Sequence, residues 1–151
     1  MPLHCIPLLV MLVVLMVIDD DKEMRQSLIH LIETAGWEVE AHPEATEIEK
    51  KVAAFLPDVI LSDLRRPKSS GLDLLQDRTA TANIPIVLIS AHGDIPTAVQ
   101  AMRDGAYSFL EKPFEPPRLL TILRNAAEKF QLSKDAERLR RQLATLSGLD
   151  R

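Results

Sequence analysis

The sequence has one cysteine, no excess of positive charge and no long apolar run. The single thiol, Cys5, cannot form a disulfide within the chain, so a reducing cytoplasm is the expected compartment. The net charge is −4, whereas domains that neutralise nucleic-acid phosphates are usually basic. We therefore expect no direct nucleic-acid binding by this chain.

The longest apolar stretch, residues 8–18, is too short to span a bilayer as a helix, which needs roughly 20 residues. The first basic residue is Lys22, so the positively charged segment that opens a secretory signal is missing. Residues 13–18 are typical of a buried strand. Membrane insertion is therefore not expected, and residues 1–11 are an apolar extension without a clear role.

Several kinds of enzyme site are also missing. No glycine-rich phosphate loop occurs, which argues against a P-loop nucleotide enzyme. The histidines, at positions 4, 30, 42 and 92, lack the spacing of a metal site and are expected at the surface. No combination of serine or cysteine with histidine indicates a nucleophile and its base.

The sequence does contain a regular alternation of short apolar runs and amphipathic stretches, which is typical of repeated strand–helix units. Apolar residues make up 46% of the 151 residues, enough for the core of one domain. The predicted strands cover residues 13–18, 37–41, 59–61, 86–89 and 107–110. The predicted helices cover residues 24–35, 44–55, 72–83, 95–104 and 116–146. This order predicts an α/β fold with a doubly wound, five-stranded parallel sheet, in which ligands bind beyond the carboxyl ends of the strands.

Polar residues follow four of the predicted strands: Asp19, Asp20 and Asp21, then Asp63, Ser90 and Lys112. Because carboxylates in one pocket repel each other, a divalent cation is expected among them, and oxygen ligands suit Mg²⁺. Asp63 can then act as a nucleophile toward a phosphoryl group, whose charge the metal and Lys112 offset. The Ser90 hydroxyl can donate a hydrogen bond to the same group. The alternative is that residues 19–21 only cap a helix and Asp63 only forms a turn.

Four motifs stand at these strand ends: Val17-Ile18-Asp19-Asp20-Asp21, Ser62-Asp63-Leu64-Arg65-Arg66-Pro67 with Gly71, Ile89-Ser90-Ala91-His92-Gly93-Asp94, and Phe109-Leu110-Glu111-Lys112-Pro113-Phe114. In their order and separation they resemble the receiver domains of bacterial two-component response regulators, over residues 12–130. The residues within these motifs are most similar to those of receivers of sigma-54-dependent activators such as the dicarboxylate-transport regulators. At positions 66 and 69 the family commonly has apolar residues, whereas this sequence has Arg66 and Ser69. These departures affect the prediction of the third helix and its loop, and not that of the acidic residues.

The resemblance implies a flavodoxin-like fold with strand order 2-1-3-4-5 and a role for each matching acidic position. Asp63 matches the phosphoacceptor, which is also a Mg²⁺ ligand. Asp19 and Asp20 match the acidic pair, with Asp20 as a direct ligand of the metal. The backbone carbonyl of Arg65 matches the third ligand from the protein.

The resemblance also assigns the residues around the phosphoryl group. Ser90 matches the hydroxyl residue that follows this group, Phe109 the aromatic switch residue and Lys112 the lysine of the site. The Lys112–Pro113 bond matches a cis peptide of the family, a geometry that is essentially restricted to bonds before proline.

The last predicted helix carries two apolar stripes on opposite sides. The first comprises Leu119, Leu123, Ala126 and Phe130 and should pack on the sheet. The second, which we call the leucine seam, comprises Leu132, Ala136, Leu139, Leu143 and Leu146 at heptad spacing. Because nothing else in the chain remains to cover the seam, a parallel homodimer through it is expected. The alternative is a helix end that frays, since two heptads are marginal.

The sequence therefore predicts a signalling domain in three parts: the extension 1–11, a receiver domain 12–130 and a helical linker 131–151, a possible coiled coil. A sensor histidine kinase would phosphorylate Asp63 with Mg²⁺, which would shift a surface and the dimer that control an output, expected to be transcription. Beyond assisting its own phosphotransfer and dephosphorylation, the chain is not expected to be an enzyme. It encodes neither an ATPase nor a helix-turn-helix and could be the front of a longer regulator.

Two alternatives stay open. The first is a pseudo-receiver, which binds or dimerises without phosphorylation; the intact acidic cluster argues against it. The second is a hydrolase of the phospho-aspartyl class, which usually needs a second aspartate two residues after the nucleophile, where Arg65 stands.

Overall fold

The computed structural model describes residues 12–64, 72–79, 81–91 and 95–147. Predictions for residues 1–11, for the Arg65 carbonyl and for positions 66–71 and 92–94 lie outside these ranges, as does the end of the proposed linker at 148–151.

The described residues form one five-stranded sheet: β1 Val14–Ile18, β2 Glu38–His42, β3 Val59–Asp63, β4 Ile86–Ser90 and β5 Ser108–Glu111. All neighbouring strands are parallel, and their order is β2-β1-β3-β4-β5. Both the doubly wound sheet and its expected strand order are confirmed, with strand ends within about two residues of the predicted ones.

The helices are α1 Lys22–Thr34, α2 Ile48–Phe55, α3 Leu72–Gln76, α4 Ile95–Arg103 and α5 Pro116–Ser147. They lie in alternation with the strands, as the apolar periodicity predicted. Over the part of the chain that the structure describes, no helix combines the length and apolar character needed to cross a membrane.

The core lies on both faces of the sheet, because successive side chains of a strand point to opposite faces. In β1, Leu15 and Val17 join the buried cluster under α1 and α5. Met16 and Ile18 join the cluster that packs against α2, α3 and α4. Burial on both sides explains why the strands read as continuous apolar runs rather than as an alternation.

The second helix begins at Ile48, whereas the sequence pattern predicted a start near Glu44. Glu47, the residue before the helix, has a left-handed backbone with φ of 55° and makes no side-chain capping bond. A non-glycine residue in that conformation cannot continue a right-handed helix, so the helix starts after it. The predicted end before Pro57 is confirmed.

The third helix is much shorter than predicted and ends at Gln76 rather than near Asn83. Ala82 and Asn83 both have positive φ, 55° and 60°, which excludes them from a helix. The amide of Asn83 instead donates to the carbonyl of Arg78 at 3.0 Å, within a turn that leads into β4. Backbone reversals of this kind leave no periodic signal, so the apolar pattern overestimated the helix.

The last helix is divided into a packed part and an exposed part, as its two stripes predicted. Leu119, Leu123 and Ala126 are fully buried on the sheet, and Phe130 packs at the edge of the core. The leucine seam has no cover among the described residues: Leu132, Leu139, Leu143 and Leu146 are 57–83% exposed. The helix thus extends beyond the domain with an apolar face in solvent.

Candidate functional site

Parallel pairing brings the carboxyl ends of the strands to one edge of the sheet. Asp63 and Ser90 are the last residues of β3 and β4, and Asp63 pairs with Ile89 in the register between these strands. Asp19 directly follows β1, and Lys112 directly follows β5. The sheet therefore gathers residues that are up to 93 positions apart in the sequence, 19 to 112.

Three carboxylates meet at this edge. Asp19, Asp20 and Asp63 each offer an oxygen within 4.8 Å of the other two. Asp19 is buried, Asp63 is half-buried and Asp20 is exposed, so the cluster opens to solvent on one side. Carboxylate oxygens at this spacing fit a hard divalent cation such as Mg²⁺, which usually keeps several waters beside one or two protein carboxylates.

Burial raises the pKa of Asp19 above its ordinary value. The hydrogen bond from the backbone N–H of Asp21 lowers that pKa, the charge of Asp63 raises it, Lys112 lowers it and Asp20 raises it. The net upward direction means that the protein alone does not compensate the negative charge on Asp19. A cation among the three carboxylates would supply the missing positive charge.

The loop of three aspartates is held by hydrogen bonds within the loop and to neighbouring residues. The backbone N–H of Asp21 donates to Asp19 Oδ1 at 2.9 Å, and that of Asp19 donates to the carbonyl of His42 at 3.0 Å. Asp21 Oδ1 accepts from the backbone N–H of Glu23 at 3.0 Å and so caps α1. The capping alternative is therefore correct for Asp21, whereas Asp19 and Asp20 lie beside Asp63.

Two neighbours of this loop were missed by the sequence reasoning. Arg25 donates from Nη1 to the backbone carbonyl of Asp19 at 2.8 Å. His42, expected at the surface, is half-buried, with a side chain 20% exposed and its Nε2 2.7 Å from Glu40 Oε1. Arg25 lies in the first turn of α1, near the loop, but no sequence pattern marks its bond to a backbone carbonyl.

Ser90 and Lys112 lie next to each other at the ends of β4 and β5. The side chain of Ser90 is buried, and its hydroxyl donates to the carbonyl of Ala91 at 3.1 Å. The backbone N–H of Lys112 donates to the carbonyl of Ser90 at 2.8 Å. The Lys112–Pro113 peptide is cis, as expected.

Phe109 lies away from the acidic edge, inside β5. It pairs with Leu88 in the strand register and is half-buried, packed at the margin of the cluster under α2, α3 and α4. One part of its ring therefore contacts the core, and the other part is exposed to solvent.

Comparisons with known proteins agree with this geometry. Residues 15–124 match the response regulator receiver domain family. The C4-dicarboxylate transport transcriptional regulatory protein DctD of Pseudomonas aeruginosa is 41% identical over 130 residues, which cover 85% of this chain and 28% of that protein.

Two solved structures share the fold. The crystal structure of a response regulator receiver domain protein from Clostridium thermocellum has a TM-score of 0.74 and 31% identity, and the match covers 80% of this chain and 98% of that one. The solution structure of the beryllofluoride-activated NtrC4 receiver domain dimer has a TM-score of 0.70 and 30% identity, covering 78% of this chain and 98% of that one.

This chain spans only 28% of the length of DctD. The match with a dicarboxylate-transport regulator confirms the subfamily that the motifs indicated. Given the shared sheet order, the matched family region and these relatives, the chain belongs to the response regulator receiver domain family.

Proposed function

We propose that this receiver accepts a phosphoryl group on Asp63 from a sensor histidine kinase, with Mg²⁺ bound beside it. The observation that carries the proposal is the meeting of three carboxylate oxygens within 4.8 Å next to a lysine that lowers the pKa of Asp19. A purely structural role for these residues gives no reason to collect uncompensated negative charge in one place.

Asp19, Asp20 and Asp63 would hold the cation, together with the backbone carbonyl of Arg65. Bound Mg²⁺ would neutralise charge on the phosphoryl oxygens and lower the barrier to transfer. The half-burial of Asp63 supports its role, because the carboxylate must be reached by a phosphorylated partner while water is partly excluded.

In the transfer step, a carboxylate oxygen of Asp63 forms a bond to phosphorus while the nitrogen–phosphorus bond of the donor histidine breaks. The product is an acyl phosphate on Asp63 and a free imidazole on the kinase. The ammonium group of Lys112 offsets charge on the phosphoryl oxygens. The Ser90 hydroxyl, which now donates to the carbonyl of Ala91 at 3.1 Å, can turn to donate to the phosphoryl group instead.

Rotation of Ser90 and Phe109 would then change the surface formed by α4, β5 and α5. Three large apolar side chains on α4, namely Ile95, Val99 and Met102, are 47–64% exposed on this side of the molecule. A shift in their positions gives phosphorylation a way to alter contacts with a partner.

The output is proposed to be a homodimer that controls transcription. The dimer is supported by the exposed leucine seam and by the NtrC4 receiver, which was solved as an activated dimer; transcription is supported by the name of DctD. A net charge of −4 makes direct DNA contact by these residues unfavourable. The proposed location is the cytoplasm, where the kinase domain and the DNA are found.

Phosphorylation is tested by incubating the protein with a small acyl phosphate and Mg²⁺ and measuring its intact mass. The wild type should gain one phosphoryl group, and a chelator should prevent the gain. Asp63→Asn should gain none, because an amide is not a nucleophile toward phosphorus under these conditions.

The matched control is Asp73→Asn, which changes an exposed aspartate on α3 and should be phosphorylated like the wild type. A phosphoryl gain that survives Asp63→Asn, or no gain in the wild type, would contradict the proposed function. Sustained hydrolysis of phosphomonoesters would favour the hydrolase alternative.

A further inference from the structure

The acidic loop is held at three successive peptide units. The N–H of Asp19 donates to the carbonyl of His42, and the N–H of Asp21 donates to Asp19 Oδ1 at 2.9 Å. Between them, the peptide that joins Asp19 to Asp20 is held through its carbonyl, which accepts from Arg25 Nη1 at 2.8 Å. Of these three contacts, only the last is made by a side chain outside the loop.

The origin of Arg25 makes this contact a brace between α1 and the loop. Its backbone N–H donates to the carbonyl of Asp21 at 2.9 Å in the first turn of the helix, while its half-buried side chain reaches back to Asp19. Because a peptide unit is planar, fixing the carbonyl of Asp19 also fixes the direction of the N–H of Asp20. The exposed Asp20 is then left with fewer backbone conformations.

We propose that Arg25 is a positioning residue for the cation site: by holding the Asp19–Asp20 peptide, it keeps the Asp20 carboxylate beside Asp19 and Asp63. This inference rests on the proposed function of the acidic cluster. Outer groups that orient metal ligands typically contribute tenfold or more to affinity, although they never touch the ion.

Because Arg25 is positively charged, a positioning role and a purely electrostatic role predict opposite changes in Mg²⁺ affinity when it is replaced. A positive side chain near a cation site repels the cation, so electrostatics alone would make its removal strengthen Mg²⁺ binding. Positioning has the opposite effect: removal of the guanidinium frees the peptide and weakens binding. The direction of the change therefore separates the two effects.

The experiment is isothermal titration calorimetry of the full chain with Mg²⁺. Arg25→Met, which keeps an unbranched apolar stem but loses the donor, should weaken Mg²⁺ binding by about tenfold. Arg25→Lys, which keeps the charge and a donor, should restore most of the affinity. The matched control is Lys22→Met: Lys22 is an exposed cation on the same helix turn, and its loss should leave the affinity unchanged or slightly raised.

Equal or tighter Mg²⁺ binding by Arg25→Met overturns the inference, as does an equal loss in Lys22→Met. If Arg25→Met does not unfold cooperatively, Arg25→Leu, which also lacks a donor, is titrated in its place with the same thresholds. No Mg²⁺ binding by the wild type contradicts the proposed function itself, so the two failures are distinguishable.

Discussion

Asp19 is the residue in which two demands of this site conflict. Its side chain is 1% exposed, like a core residue, yet it must be charged for the proposed binding of a cation. Burial and the neighbouring carboxylates raise its pKa in the folded protein. Relative to the unfolded chain, the folded state therefore prefers protonated Asp19, and ionisation of this group destabilises the metal-free fold.

The upward shift of the pKa of Asp19 predicts how the stability of the protein depends on pH. The stabilising contribution of Asp19 is fully present below its ordinary pKa of 3.8 and is lost as pH rises through the raised value in the folded state. Asp19→Asn keeps an acceptor for the Asp21 amide but carries no charge. In the absence of Mg²⁺ it should therefore raise the free energy of unfolding at pH 7, with a gain that shrinks as the pH falls toward 4.

Urea denaturation across this pH range measures the effect. The control is Glu38→Gln, an exposed acidic residue on β2, which should change stability by no more than about 0.5 kcal/mol. A loss of stability in Asp19→Asn at pH 7, or a gain that grows on acidification, would contradict this account of the charge.

Among single residues, the carboxylates could be located from the sequence. Each lies at the carboxyl end of a predicted strand, and parallel strands have these ends at the same edge of the sheet. Arg25 could not be located in this way. Its bond joins a side chain to a backbone carbonyl six residues earlier, and no periodicity or residue spacing encodes that contact.

Among the elements, α5 is anchored where it leaves the domain. Gln131 donates from Nε2 to Asp58 Oδ2 at 2.9 Å and to the carbonyl of Leu12 at 3.2 Å. The buried Asp58 also accepts from the backbone N–H of Val14 at 3.0 Å. The helix is thus tied to the end of the sheet opposite the acidic site, directly before the leucine seam begins at Leu132.

Removal of this anchor should loosen the helix without disturbing the site. Gln131→Ala loses two hydrogen bonds, one to a carboxylate, and should lower the free energy of unfolding by about 1–2 kcal/mol. Gln142→Ala, on the exposed part of the same helix, is the control and should be near neutral. Urea denaturation measures both, and equal stabilities of the two variants would count against the anchor.

Element types followed from the apolar pattern, but two helix ends did not. The start of α2 depends on the left-handed Glu47, and positive φ at Ala82 and Asn83 keeps α3 from reaching its predicted end. Asparagine tolerates the left-handed conformation, so Asn83 is a weak marker of the reversal. Glu47 and Ala82 carry no such marker, and tertiary contacts of the neighbouring turns must determine their conformation.

For the whole molecule, the long helix couples a packed domain to an apolar seam that no described residue covers. Residues 132–147 add about 24 Å of helix at 1.5 Å per residue. On this segment, Arg141 Nε lies 3.7 Å from Glu137 Oε1. An exposed ion pair of this kind contributes little to the stability of a helix. An isolated helix end is marginal, so association of two seams is the expected source of its stability.

Sedimentation velocity tests the dimer. The double substitution of Leu139 and Leu143 to Ala removes two side chains that are 57% and 58% exposed. It should therefore weaken dimerisation by tenfold or more, by analogy with the loss of buried apolar area, while Mg²⁺-dependent phosphorylation continues. A wild type that stays monomeric before and after phosphorylation would remove the seam as an interface.

We propose above all that the carboxyl edge of the sheet makes Asp63 a cation-dependent phosphoacceptor. The most direct test is to phosphorylate the chain with an acyl phosphate and Mg²⁺, reduce the acyl phosphate with borohydride, and map the product by tandem mass spectrometry. We expect homoserine at position 63, formed only when Mg²⁺ is present. Homoserine at another aspartate, or the same yield in the presence of a chelator, would contradict the proposal.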